Sequence, residues 1–250
     1  MFKRGAQYKN RVGEEFKTYQ GYVVKVIEYF GCNGITVQFD DENRAILYNV
    51  RISNLIRGVL SNPYHPSVCN IGYNGVGEYK TRGNELHRMY YKSWHKMLQR
   101  VYEREHKSYR GVVVCEEWYN FQNFAKWFEE NWKPWMDSTW DLDKDILCPN
   151  CKIYSPETCA FVPEKINLIF VKTNRKSNKL PIGVNKIGKK YVAKIKRNNK
   201  FKHLGMFYTP EEAFQVYKTA KEDYIKEVAD EWRSLIDLKV YQAMYNYKVE

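Results

Sequence analysis

The chain reads as an α+β protein built from three parts, and three observations predict this. Short runs of alternating apolar and polar residues fill the first third. Two helix-period runs in the middle lead into a strand–loop–strand–helix pattern. The last third is strongly basic and carries three more short strands followed by a capped helix. The expected division is a small N-terminal β-barrel and linker over residues 1–78, a central ββα module with flanking helices over 79–170, and a C-terminal three-stranded antiparallel sheet plus helix over 171–250. A chain of 250 residues is long enough for two or three small domains.

In the first part, alternation runs through Gly21 to Tyr29 and again through Ile35 to Phe39, with the Gly and Asn of a hairpin loop between them. A third strand is expected near Ala45 to Val50 and a fourth from Leu55 to Leu60. Strands this short and this closely spaced predict an SH-three-like or Tudor-like barrel, a fold that binds peptides, nucleic acid or a neighbouring domain. A protein partner for this barrel is therefore expected. Asp40, Asp41 and Glu42 read as an exposed turn rather than a metal cluster. Ser61 to Tyr79, with Pro63, Pro66 and several Gly, reads as a linker.

In the second part, Leu86, Met89, Tyr90, Trp94, Met97, Leu98 and Val101 recur at spacings of three and four, so Asn84 to Glu105 should be an amphipathic helix. GVVVCEEW reads as a short strand. Asn120 then caps a second helix carrying Phe121, Phe124, Trp127, Phe128 and Trp132. Next comes WDLDKDILCPNCKIYSPETCAFVPEKINLIF, Trp140 to Phe170. Leu142 to Leu147 alternate as a strand, Thr158 to Val162 form a second, and Pro163 suits the first position of a helix.

This stretch resembles the HNH nuclease motif carried by phage and mobile-element proteins, through LDKDIL, YSPETC, VP and IN in that order. The preceding W…ML.R.Y and VCEEW.NF..F..W extend the resemblance over roughly Tyr90 to Phe170. It implies a ββα-metal site for Mg or Mn. Asp143 on the first strand and Asn167 on the helix would be the ligands, and Asn150 would be the loop Asn that orients the catalytic His. The family's metal grips a phosphate oxygen while a neutral His activates water. Here Lys144 stands at the His position. An unperturbed lysine, with a pKa of about 10.4, is a poor base near neutral pH. His87, His95 and His106 lie upstream as alternative bases.

Cys148 and Cys151 form a CxxC inside the loop, with Cys159 eight residues on and Cys115 upstream. Four such ligands would suit a structural zinc, and the alternative is a set of free thiols. A redox role has less support, because the pair does not open a helix after a strand. Six Cys in a chain of this length do not suggest a disulfide framework, and a reducing compartment is expected.

Lys and Arg outnumber Asp and Glu by 41 to 29, a formal charge of +12, which favours a polyanionic partner. The excess is local. From Lys165 to Pro210 there are thirteen Lys or Arg and no acid. Within it, Ile182 to Asn185, Tyr191 to Lys196 and Phe201 to Phe207 read as strands, with turns at Gly188 and Asn198-Asn199. Thr209 caps a helix with Pro210 at its first position and acids in its first turn. The C-terminal tail, Glu231 to Glu250, reads as a continuing or second helix that packs back on something.

This third part resembles the DNA-binding domain of plant APETALA and ethylene-response factors, through Gly183-Val184, Tyr191, Ala193, Ile195, Leu204-Gly205, Phe207 and the EEA of the helix. The resemblance implies that the exposed sheet face enters the major groove of double-stranded DNA. The matching positions are Asn185, Lys186, Lys190, Tyr191, Lys194, Lys196 and His203. Lys lacks the planar fork with which Arg reads guanine, so affinity should exceed sequence specificity.

The N-terminus lacks the apolar core of a signal peptide and no segment has the length of a membrane span, so a cytoplasmic protein without a membrane partner is expected. Two functions follow from the resemblances. One is a metal-dependent DNA endonuclease, slow or nicking. The other is a DNA-binding protein whose nuclease module has lost its base, acting as a transcriptional regulator or as a blocker of a host factor.

Overall fold

The alternation in the first third produces an open four-stranded sheet in place of the expected barrel. The computed structural model describes residues 10–104, 109–170, 180–198 and 200–250. It is a mixed α+β structure that divides into two compact units, Met1–Glu129 and Glu130–Glu250. This division falls in the last turn of the helix Phe121–Asn131, ahead of the ββα element.

In the first unit, β1 (Glu15–Lys17), β2 (Val23–Tyr29), β3 (Ile35–Phe39) and β4 (Ile46–Val50) pair in chain order as an antiparallel meander. Val24 and Val26 on β2 face a core with Ile35, Val37 and Phe39, while Lys25 between them points to solvent. β1 is too short to show a periodicity. The strand expected over Leu55 to Leu60 is instead a short helix, α1 (Ile52–Ile56), whose Leu55 enters the sheet core. Gly58, at φ +65°, then turns the chain back so that its carbonyl accepts from Tyr19 N at 2.9 Å. The segment therefore closes over the end of the sheet without adding to its edge, and among the described residues no sheet closes into a barrel.

The remainder of this unit is helical. α2 (Glu85–Leu98) begins at Asn84, whose side chain accepts from His87 N, and runs into a π-helical turn at Gln99–Glu103. β5 (Val113–Val114) and a 3-10 turn, Glu116–Tyr119, lead into α3 (Phe121–Asn131). Trp94, Trp118, Phe121, Phe124 and Phe128 bury completely between the helices, and the Trp94 indole donates to Trp118 O at 2.6 Å. The Pro- and Gly-rich segment from Ser61 to Tyr79 is not a free linker. Gln122 holds it, donating to the carbonyls of Asn74 and Tyr79 and accepting from Tyr79 N. Tyr79 Oη also donates to Glu129 at 2.7 Å.

In the second unit, β6 (Trp140–Asp143) pairs antiparallel with β8 (Ala160–Pro163), Trp140 opposite Pro163 and Asp143 opposite Ala160. β7 (Ile153–Tyr154) lies in the intervening loop, and α4 (Glu164–Phe170) follows β8 directly. Pro163 is thus the last strand residue and not the first helical one. β9 (Val184–Ile187), β10 (Lys190–Arg197) and β11 (Lys200–Phe207) form the predicted sheet, ordered β11-β10-β9. α5 (Pro210–Trp232) opens with a complete capping box between Thr209 and Glu212, and α6 (Leu238–Tyr245) packs back on it. The link VKTNRKSNKL lies outside the described residues as far as Lys179, as do His106 and Asn199.

Gly183 shows how tightly α5 meets the sheet. Its φ is +78°, and a Cβ there would fall inside the Tyr217 ring. Left-handed backbone costs a non-glycine residue about 1–2 kcal/mol and overpacking about 1–3 kcal/mol. We predict that Gly183→Ala destabilises the second unit by about 2–4 kcal/mol in urea melts. A change within error would mean that this contact is loose.

Candidate nucleic-acid interface and the ββα element

The loop after β6 is set by a carboxylate. Asp143 Oδ1 accepts from the backbone N–H groups of Asp145 and Ile146, at 2.9 and 2.8 Å. Such an Asx turn gives the backbone an alternative to the strand ladder. It explains why β6 stops at Asp143 although the alternation continues to Leu147. Burial pushes the Asp143 carboxyl above its ordinary range, against the two backbone hydrogen bonds that favour its charged form.

Lys144 is only 7 % exposed. Its ammonium donates to Asp145 Oδ1 at 2.6 Å and to the Cys151 carbonyl at 3.1 Å, and lies 5.9 Å from the Tyr154 ring centre. The side chain is spent holding the loop between β6 and β7. Asn150, exposed at φ +69°, occupies the left-handed position that Asn tolerates in a tight turn. Asn167 lies half-buried on α4. Asp143 and Asn167 offer one carboxylate and one amide oxygen, a donor set that suits a hydrated Mg or Mn ion. No imidazole stands in the loop beside them.

Cys148 and Cys151 are joined as a disulfide, their Cα atoms 5.4 Å apart across the Pro149-Asn150 turn. The turn itself brings the pair together. Cys159 is buried beside Thr158, and Cys115, in the first unit, precedes the 3-10 turn. Among the described residues no three His, Cys, Asp or Glu side chains gather as a metal group.

The register of the C-terminal sheet sorts the basic residues onto two faces. β10 pairs regularly with β9, Tyr191 opposite Lys186 and Val192 opposite Asn185. On β11 the pairing slips by one residue: Ala193 faces Gly205, but Lys194 faces His203. Leu204 is the extra residue of a β-bulge. One face therefore carries Asn185, Lys190, Lys194, Lys196 and His203, with Ile187, Phe201 and Met206. The other carries Lys186, Tyr191, Ala193, Ile195 and Arg197, and packs toward α5. Lys186 and Tyr191, a cation–π pair with 5.8 Å between ammonium and ring centre, thus lie opposite the other expected contact residues. The place of Phe201 on this face depends on the bulge, which an alternation count cannot reveal.

A groove of about 1100 Å³ runs between α4, the loop after β6, α5, the C-terminal tail and the edge of β10. Lys194 N donates to Gly183 O at 2.9 Å, the last bond on this edge of β10 before the strand runs past β9, and Lys194 and Lys196 border the groove. Lys221 on α5 crosses to α4, donating to Ile169 O at 2.8 Å. Lys165 on α4 pairs with Glu231 on α5 at 2.7 Å. No family model, curated protein or solved structure significantly matches the chain. No helix among the described residues is long and apolar enough to cross a membrane.

Burial lowers the Lys221 ammonium to about 8 from an ordinary 10.5. Between these values the unfolded chain holds more protons than the folded one, so this group's contribution to stability rises with pH there. Below about 8 it is constant. We predict that the stability of the native chain relative to Lys221→Met stays level from about pH 6 to 7.5 and climbs from about pH 8 to 10. A relative stability independent of pH in thermal melts would mean that Lys221 is solvated like any surface lysine.

Proposed function

We propose that the chain binds double-stranded DNA through its C-terminal sheet, and that the ββα element serves as a frame without hydrolytic turnover. The observation that carries this reading is Lys144, buried and tied to Asp145 and the Cys151 carbonyl where a nuclease of this design needs a free base. A lysine so held has no route to an attacking water. The basic stretch supports the binding half: Lys190, Lys194 and Lys196 share one sheet face in a run of sequence that contains no acid. Such a protein acts by occupancy, as a transcriptional regulator or as a blocker of a host factor at its site.

A second reading, a slow metal-dependent nickase, rests on Asp143 and Asn167. They retain the carboxylate and amide of a Mg or Mn site on the strand and helix that the motif requires. When bound, the ion would stabilise charge on the phosphate, and Asp143 and Asn167 would hold it.

Two measurements test the proposal. Affinity for a labelled duplex should fall steeply with salt, with a log–log slope of about −0.9 per phosphate contact. Lys194→Ala and Lys196→Ala should each flatten that slope by about 1 unit, whereas Lys186→Ala on the opposite face should leave it unchanged. In a supercoiled-plasmid assay with Mg²⁺ or Mn²⁺, neither the native chain nor Lys144→His should nick. Metal-dependent nicking by the native chain that is lost in Asp143→Ala would overturn the frame reading in favour of the nickase. Failure to bind any duplex would overturn both.

A further inference from the structure

The DNA-facing side of the sheet carries an apolar component that phosphate binding does not need. Ile187, Met206 and Phe201 are 53 %, 53 % and 74 % exposed. They sit on three different cross-strand rows of one face: Ile187 opposite Lys190, Met206 opposite Val192, Phe201 opposite Lys196. Lys190, Lys194 and Lys196 stand on the central strand, between Ile187 on β9 and Phe201 and Met206 on β11. Exposed apolar side chains spaced between cations suit a surface whose partner offers anionic rails with apolar groups between them. The major groove of duplex DNA does so. Phosphates line its rims, and the C5-methyl of thymine is the apolar group on its floor.

The same strands withhold the side chain that reads guanine best. Arg197 is the only Arg on β9, β10 or β11. Its guanidinium stacks over the Tyr224 ring at 4.6 Å and pairs with Glu227, on the α5 side of the sheet. The open face is left with lysines, which act as point charges on phosphate, with Asn185 and His203, and with three exposed apolar side chains. The Leu204 bulge is what brings Phe201 round to this face. Without it, Phe201 would alternate with Phe207 and Gly205 on the side that faces α5.

We infer that Ile187, Phe201 and Met206 read thymine methyl groups, so that the sheet prefers A·T-rich duplex DNA. This inference rests on the proposed DNA binding and adds the base class that the same face selects. Each methyl buried against one of these side chains should tighten binding about fourfold, the equivalent of ~0.8 kcal/mol per buried carbon.

The test uses the full chain and fluorescence anisotropy at one fixed salt concentration. The probes are duplexes of equal length: one A·T-rich, the same sequence with deoxyuridine for every thymidine, one G·C-rich, and the same G·C sequence with 5-methylcytosine. The thymidine duplex should bind tighter than the deoxyuridine one by about fourfold per methyl contacted. The 5-methylcytosine duplex should gain over its unmethylated parent, because the same methyl then projects into the groove. The triple variant Ile187→Ala, Phe201→Ala, Met206→Ala should erase both differences while keeping its salt slope and melting temperature. Equal binding of thymidine and deoxyuridine duplexes would overturn the inference and leave DNA binding intact. A thymidine advantage without a 5-methylcytosine gain would overturn it too, assigning the preference to groove shape. Absence of binding to all four would overturn the DNA reading itself.

Discussion

The buried ammonium of Lys144 is the constraint on which the second unit's loop depends. A lysine out of water must have its charge met, or it gives up its proton. Here an adjacent carboxylate and a carbonyl seven residues away meet it. The carbonyl belongs to Cys151, so this bond fixes the far end of the CPNC turn, while Asp143 fixes the near end through two backbone N–H groups. Removing the lysine would leave the Cys151 carbonyl without that donor and Asp145 without its counter-charge. The Lys144 side chain is thereby part of the scaffold of this loop.

The same unit shows how a small ββα element is kept in place. Its two paired strands and seven-residue helix bury little on their own. They are joined to the C-terminal part by the edge-on Trp140 and Trp232 rings, by Phe170 against Tyr247, and by the Lys221 ammonium on the last turn of α4. The Lys165–Glu231 pair is exposed and adds little beyond orientation. The ββα element and the basic sheet therefore form one compact body, although composition changes sharply between them. Charge composition reports on the surface, and the apolar contacts that join two segments leave no mark on it.

Much of the fold was legible where local chemistry decides it. Asn84 and Asn120 announced their helices, and the Thr209–Glu212 capping box with Pro210 announced α5, because these signals act within four residues. The strand periods of β2, β3 and β10 were equally plain. Reading failed where a local pattern met a competing partner. The alternation past Asp143 was ended by an Asx turn. The apolar run at Leu55 folded into a helical turn under the sheet. The loop from Ser61 to Tyr79 is pinned by partners distant in sequence, Gln122, Glu129 and Gln20 among them.

The site divides along the same line. Sequence by itself determined its chemistry: a carboxylate at Asp143, a lysine beside it, an amide at Asn167, and a long stretch of cations without acids. These are properties of residue type and order, and folding cannot change them. Only the tertiary structure decided that Lys144 turns inward to Asp145, that Arg197 is drawn onto Tyr224 and Glu227, and that Phe201 and His203 share a face with Lys194 and Lys196. Each of these depends on a partner brought close by packing or on one extra residue in a strand. A bulge at Leu204 reverses every side chain beyond it, and no periodicity in the sequence marks where it falls.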